Sequence, residues 1–128
     1  LGSIAELPRM MTLKTLARRI AATLKPPAVQ VVGDPAAKIR TIGVLAGSAG
    51  RAALDLPEPQ KKFDALITGE LKHHDALAYR AAGIPVICLG HSHSERPMFA
   101  ALTRKLAAAF PDLAVERSKA DVNPFWLP

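Results

Sequence analysis

The sequence predicts an α/β fold, a layered sandwich with a largely parallel sheet and helices on both faces. Two observations carry that expectation. Five short apolar runs, punctuated by Gly, Pro and Asp, have helical patterns between most of them, as expected of repeated strand–helix units. Two of these runs, Ala65 to Thr68 and Pro85 to Leu89, stop where a dense polar stretch begins. Strands of an α/β sheet hand over to ligand-holding loops in this way. At 128 residues and 49% apolar, residues 1–128 make one domain with a single core.

Leu1 to Met11 has no clear period and reads as a lead-in. Because the chain opens on Leu rather than Met, it is expected to be a fragment or a processed piece. Thr12 is placed to cap a helix in which Leu13, Leu16, Ala17, Ile20 and Leu24 share one face, and Pro26-Pro27 ends it. Strands follow at Ala28 to Val32, closed by Gly33-Asp34-Pro35, and at Ile39 to Ala46, apolar enough to be buried on both faces. Gly47-Ser48-Ala49-Gly50 then opens a weak helical pattern through Leu54. Such glycines let backbone N–H groups approach an anion. The loop matches no nucleotide-binding fingerprint, and a tight turn is the plainer reading. Leu56 to Lys62 is a surface connection.

Asp64 to Thr68 is the next strand. His74 to Ala82 is a short helix with Ala76, Leu77 and Ala81 available to pack inward, ended by Gly83. Pro85 to Leu89 is a central strand, parallel and adjacent to the previous one. Ser94 caps a longer helix, Glu95 to Phe110, with Pro97 in its first turn. Met98, Leu102, Leu106 and Phe110 form an i, i+4 stripe expected in the core. Leu113 to Glu116 is a last strand, and Asn123 to Trp126 a tail.

Seventeen Lys and Arg against eleven Asp and Glu give a net charge of +6. The basic residues are scattered and only six aromatics are available to stack on bases, so solvated faces explain the charge better than a nucleic-acid surface. The lone Cys88 excludes an internal disulfide, suits a reducing compartment and, inside an apolar run, reads as a core thiol. No apolar stretch is long enough to span a bilayer.

All four histidines lie between residues 73 and 93, with Glu70, Asp75 and Glu95 among them. His91, in the loop, and Glu95, in the first helical turn, can converge on one point, and imidazole plus carboxylate suits zinc, manganese or iron. The plainer alternative is a surface His beside a Glu that favours the helix dipole. Neighbouring His73 and His74 cannot both face one metal from a regular helix. Glu70 and Asp75 are candidates to orient an imidazole or to act as a base, with helix capping as the plainer role for Asp75. Glu70 and His73 are the catalytic candidates; His74, Asp75, Gly47, Ser48 and His93 complete the pocket. Convergence of both clusters at neighbouring strand ends favours a metal pocket.

Leu45 to Gly50, the T-G-E-L-K-H-H-D run Thr68 to Asp75, and the G-H-S-H-S-E-R run Gly90 to Arg96 resemble the NGG-interacting-factor-three family, whose members are often named GTP cyclohydrolase 1 type 2 homologues. The similarity runs from about the first helix to the Asn123-Pro124-Phe125 tail. It implies a two-lobed α/β protein with two divalent metal ions between its lobes, assembled as a ring-shaped homohexamer. It places His91 and Glu95 as the ligands of the C-terminal lobe. The His-His pair and Asp that the family's N-terminal lobe supplies have no counterpart before residue 73, so this chain resembles the C-terminal lobe and its metal site is incomplete. His73-His74 belongs to the C-terminal motif and does not stand in for the missing pair. The resemblance implies a metal-dependent hydrolase of a nucleotide-like substrate or, alternatively, a non-enzymatic scaffold with a transcription-related partner, in the cytoplasm with the nucleus as a second address.

Overall fold

A computed structural model describes residues 2–56 and 62–125. In chain order the elements are β1 (Ser3–Thr12), α1 (Leu13–Leu24), β2 (Gln30–Val32), β3 (Lys38–Leu45), a 3-10 turn (Ala49–Ala53), β4 (Ala65–Thr68), α2 (His73–Ala81), β5 (Val86–Cys88) and α3 (His91–Ala109). They build one five-stranded sheet in the order β1-β3-β4-β5-β2. The central strands β3, β4 and β5 are parallel, whereas β1 and β2 close the two edges antiparallel. The expected adjacency of β4 and β5 holds, with Leu66 opposite Val86 and Thr68 opposite Cys88.

Alternation along the central strands builds two layers. Ala65, Ile67, Ile87 and Leu89 face α1, which buries Leu13, Leu16 and Ala17 against them. Leu66, Val86 and Cys88 face the other way and pack with Leu45, Ala53 and Tyr79 of α2. The capping role read for Thr12 is present, since its hydroxyl accepts the Thr15 N–H at 3.2 Å. Lys25, in the left-handed region at φ 49°, ends α1 ahead of the prolines.

Several expectations need correction. The lead-in is a ten-residue edge strand, β1, hidden from sequence reading because Pro8 and an irregularity between Glu6 and Met11 break its alternation. Leu113 to Glu116 is not a strand: the sheet ends at β1 and β2, and the segment pairs with neither. In α2 the buried residue is Tyr79; Leu77 is half exposed, so the inward face is rotated from the expected one. The α3 stripe is outside the core: Met98 is 57%, Leu102 42%, Leu106 37% and Phe110 55% exposed, and α3 buries none of its residues. Periodicity shows which residues share a face, not whether anything covers it. Most of the Leu56 to Lys62 connection, and Trp126, lie outside the described residues.

Two smaller predictions arise here. Thr68 is fully buried and its hydroxyl has no hydrogen-bond partner among the described residues. Thr68→Val, which keeps the shape and removes the unpaired group, is expected to be neutral or to stabilise by up to about 1 kcal/mol. A lower urea midpoint in the variant would mean that the hydroxyl is paired. Asp64 accepts the N–H groups of Arg40 at 2.7 Å and Thr41 at 2.8 Å, and these bonds, Thr41 first, hold its carboxyl below the usual aspartate value. A depressed acid stabilises the fold above its unfolded pKa and loses that contribution as the pH falls through the folded one. Asp64→Ala is therefore expected to cost about 1 kcal/mol at pH 7. The difference from wild type should shrink in urea titrations run below the ordinary value of 3.8. An equal difference at both pH values would assign the loss to something other than the charged carboxylate.

Candidate functional site

The parallel strands β3, β4 and β5 all end at one edge of the sheet, and each continues into part of the site: Gly47 after β3, Gly69-Glu70 after β4, and Gly90-His91 after β5. Backbone hydrogen bonds tie these three ends together. The Gly47 carbonyl accepts the N–H groups of Gly69 at 3.1 Å and Glu70 at 3.2 Å, and Gly90 N–H donates to the Gly69 carbonyl at 2.8 Å. The approach is close enough to exclude side chains. A Cβ on Gly69 would lie 2.4 Å from the Gly47 carbonyl oxygen, and one on Gly47, itself at φ +70°, 2.5 Å from Glu95 Oε1.

Helix α3 begins at His91, so His91 and Glu95 are successive-turn neighbours within it rather than straddling its start. Pro97 consequently lies in the helix interior, and Ser94 is not the cap. Glu70 accepts from His91 Nδ1 at 2.7 Å, while His91 Nε2 faces Glu95 Oε1 at 3.4 Å. The Glu70 hydrogen bond raises the His91 pKa above its ordinary value, and the charge of Glu95 adds to the rise. When the imidazole is neutral, the Glu70 bond places its proton on Nδ1 and leaves the Nε2 lone pair directed toward the Glu95 carboxylate.

The other predicted site residues are dispersed. His93 lines a cleft of about 420 Å³ shared with Glu70 and His91, with Pro27, Ala28, Leu89, Pro124 and Phe125 as apolar walls. His73 opens α2 and lines a different groove, beside β2 and Arg80. His74 stands edge-on to His73, with ring centres 5.8 Å apart. Asp75 lies with Ser48 in a third groove that Glu70 also lines, and it pairs with Arg51 at 3.4 Å instead of orienting an imidazole. Cys88 is buried and its thiol is pushed up to about 11, far from nucleophilic at neutral pH. The contribution of Gly69 and of the Asn123 to Phe125 segment was not legible beforehand. Gly69 stands directly after an apolar run and inside the T-G-E-L-K-H-H-D run, but neither shows how closely it approaches Gly47.

His91 Nε2 and Glu95 Oε1 are two donors of the kind a divalent metal takes, and Glu70 on Nδ1 is the usual support for a ligating imidazole. Among the described residues no third His, Cys, Asp or Glu joins them to complete a shell. The pair fits part of a metal site and does not make a whole one. Among the described residues no helix is long and apolar enough to cross a membrane.

Comparison with known proteins agrees with this architecture. A GTP cyclohydrolase 1 type 2 homolog from Staphylococcus aureus is 34% identical over 129 residues, covering 98% of this chain and 34% of the relative. The protein NIF3 homolog of Schizosaccharomyces pombe is 33% identical over 130 residues, covering 96% of this chain and 45% of the relative. The crystal structure of a Staphylococcus aureus protein, 31% identical, superposes with a TM-score of 0.86 over 100% of this chain and 42% of its own. The chain thus spans between a third and a half of the length of these proteins. The Duf34/NIF3 (NGG1p interacting factor 3) family model matches residues 1–124, and the chain belongs to that family.

Proposed function

We propose that this chain is the lobe of a dinuclear-metal protein that contributes His91 and Glu95 as ligands, with Glu70 orienting the imidazole. The observation that carries the reading is the Glu70–His91–Glu95 arrangement, with 2.7 Å to Nδ1 and 3.4 Å from Nε2 to Glu95. A bound zinc, manganese or iron ion would supply Lewis-acid activation of water toward a nucleotide-like substrate. The remaining ligands would come from elsewhere in a longer, homo-oligomeric protein in the cytoplasm, and this chain alone should hold metal loosely. In the chain itself, Glu70 fixes the imidazole tautomer, and Leu89 and Phe125 line the cleft beside His91. The test is nucleotide turnover and metal content of a full-length relative carrying these residues. Both should fall sharply in His91→Ala and Glu95→Gln, and unchanged metal content would sink the reading.

A second reading, a non-enzymatic scaffold that also serves the nucleus, is favoured by the uncovered apolar stripe on α3. Full metal occupancy with no turnover in the wild-type protein would favour it.

A further inference from the structure

We infer that Ser94 is a positioning residue for the His91–Glu95 pair: it clasps the first turn of α3 to the glycine turn after β3, so that both side chains meet at one point. What the pair binds rests on the proposal above; the clasp itself rests on hydrogen bonding.

The Ser94 hydroxyl donates to the His91 carbonyl at 2.7 Å and accepts the Gly47 N–H at 2.8 Å, using its proton and one lone pair. The Gly47 carbonyl in turn accepts the Glu70 N–H, and Glu70 holds His91 Nδ1. These bonds close a ring through Gly47, Ser94, His91 and Glu70. No buried side chain anchors α3, so polar ties must orient it; besides this ring, Arg96 binds Asp121 with two bonds, at 3.0 and 2.8 Å. Gly47 is buried beneath the pair, so a shift of its N–H is felt at Glu95 directly. The same geometry explains why Gly69 has no side chain, since its Cβ would lie 2.7 Å from the Ser94 hydroxyl. It also uses up the Gly47 N–H, which argues against the glycine turn as an anion cradle.

The test follows the imidazole of His91 by NMR in this chain, with Co²⁺ as the probe. Wild type should show a slowly exchanging, downfield Nδ1–H signal from the Glu70 bond. Ser94→Ala should lose it, and the Co²⁺ concentration that half-shifts the His91 resonances should rise by about 10–100-fold, as for other lost supports of ligating histidines. Ser94→Thr keeps the hydroxyl and should restore both. Thr103→Ala removes the same kind of hydroxyl-to-carbonyl bond, 2.8 Å to Phe99, farther along α3 and should move neither. If Ser94→Ala does not fold, Ser94→Cys, of similar size but a weak hydrogen bonder, takes its place. A Ser94 variant that loses stability but keeps the signal and the Co²⁺ midpoint overturns the inference. If wild type and His91→Ala respond alike to Co²⁺, the metal reading fails, and the Nδ1–H signal alone decides the role of Ser94.

Discussion

Replacing Tyr79 with alanine is expected to destabilise the chain by about 3–5 kcal/mol, the range for removing a large buried aromatic. Domains of this size hold only about 5–15 kcal/mol in all, so a large share of the variant would be unfolded at modest urea. Tyr79 is fully buried between α2 and the sheet, beside Leu66, Val86 and Cys88. Its hydroxyl donates to the Gly50 carbonyl, joining α2 to the turn that carries Gly47. Tyr79→Phe keeps the ring and should cost only about 1–3 kcal/mol, the penalty of leaving that buried carbonyl unpaired. Burial pushes the phenol up to about 12, so the neutral form is favoured in the fold. The associated stability is complete below pH 10 and is lost as the pH rises toward about 12. Leu102→Ala is the contrasting case. At 42% exposed, it should cost less than about 1 kcal/mol in this chain, where a core position would cost about 2–5. Urea midpoints for the three variants check the order Tyr79→Ala, then Tyr79→Phe, then Leu102→Ala. A Leu102 effect as large as that of Tyr79→Ala would place α3 in the core after all.

The second large effect is expected at Gly69. A methyl group there meets backbone on one side and the Ser94 hydroxyl on the other, at 2.4 and 2.7 Å. Backbone cannot rotate away as a flexible side chain would, so Gly69→Ala should cost at least the upper part of the usual overpacking range of about 1–3 kcal/mol. The strain falls on the bond from Gly69 N–H to the Gly47 carbonyl, and through it on Glu70 and His91. Both the unfolding midpoint and the His91 imidazole signals should therefore move. At Gly83, where nothing lies within 4 Å of an added Cβ but φ is +69°, alanine should lower the midpoint and leave the His91 signals in place. A folded Gly69→Ala with an unchanged midpoint would show that the three strand ends are less tightly joined than their geometry implies.

Much of the fold was legible because local rules and tertiary outcome agree. The α1 stripe from Leu13 to Leu24, the Thr12 cap and the apolar runs of β3, β4 and β5 each follow from one period or one turn residue. The polar residues after β4 and β5 share an edge because parallel neighbours end on the same side, and Glu70 and His91 meet there as expected.

What tertiary structure alone decided has a common physical reason: each case depends on a partner far away in sequence. β1 is a strand because β3 offers it hydrogen bonds, although its own alternation is broken. The α3 stripe recurs at helical spacing as the α1 stripe does, though on a less amphipathic helix, and of the two only α1 has a sheet face to cover it. His91 and Glu95 were readable as a pair, but the helix that presents them starts four residues earlier than the Ser94 cap suggested. The Ser94 hydroxyl is instead taken by Gly47, 47 residues away, a contact no local rule can see. His73 is turned by the direction of α2 into another groove, and Asp75, in a groove shared with Glu70, is taken by Arg51. The sequence by itself determined which residue types gather at the strand ends. Which of them touch was decided by where each helix axis points, and that is set by burial and backbone hydrogen bonding across the whole chain.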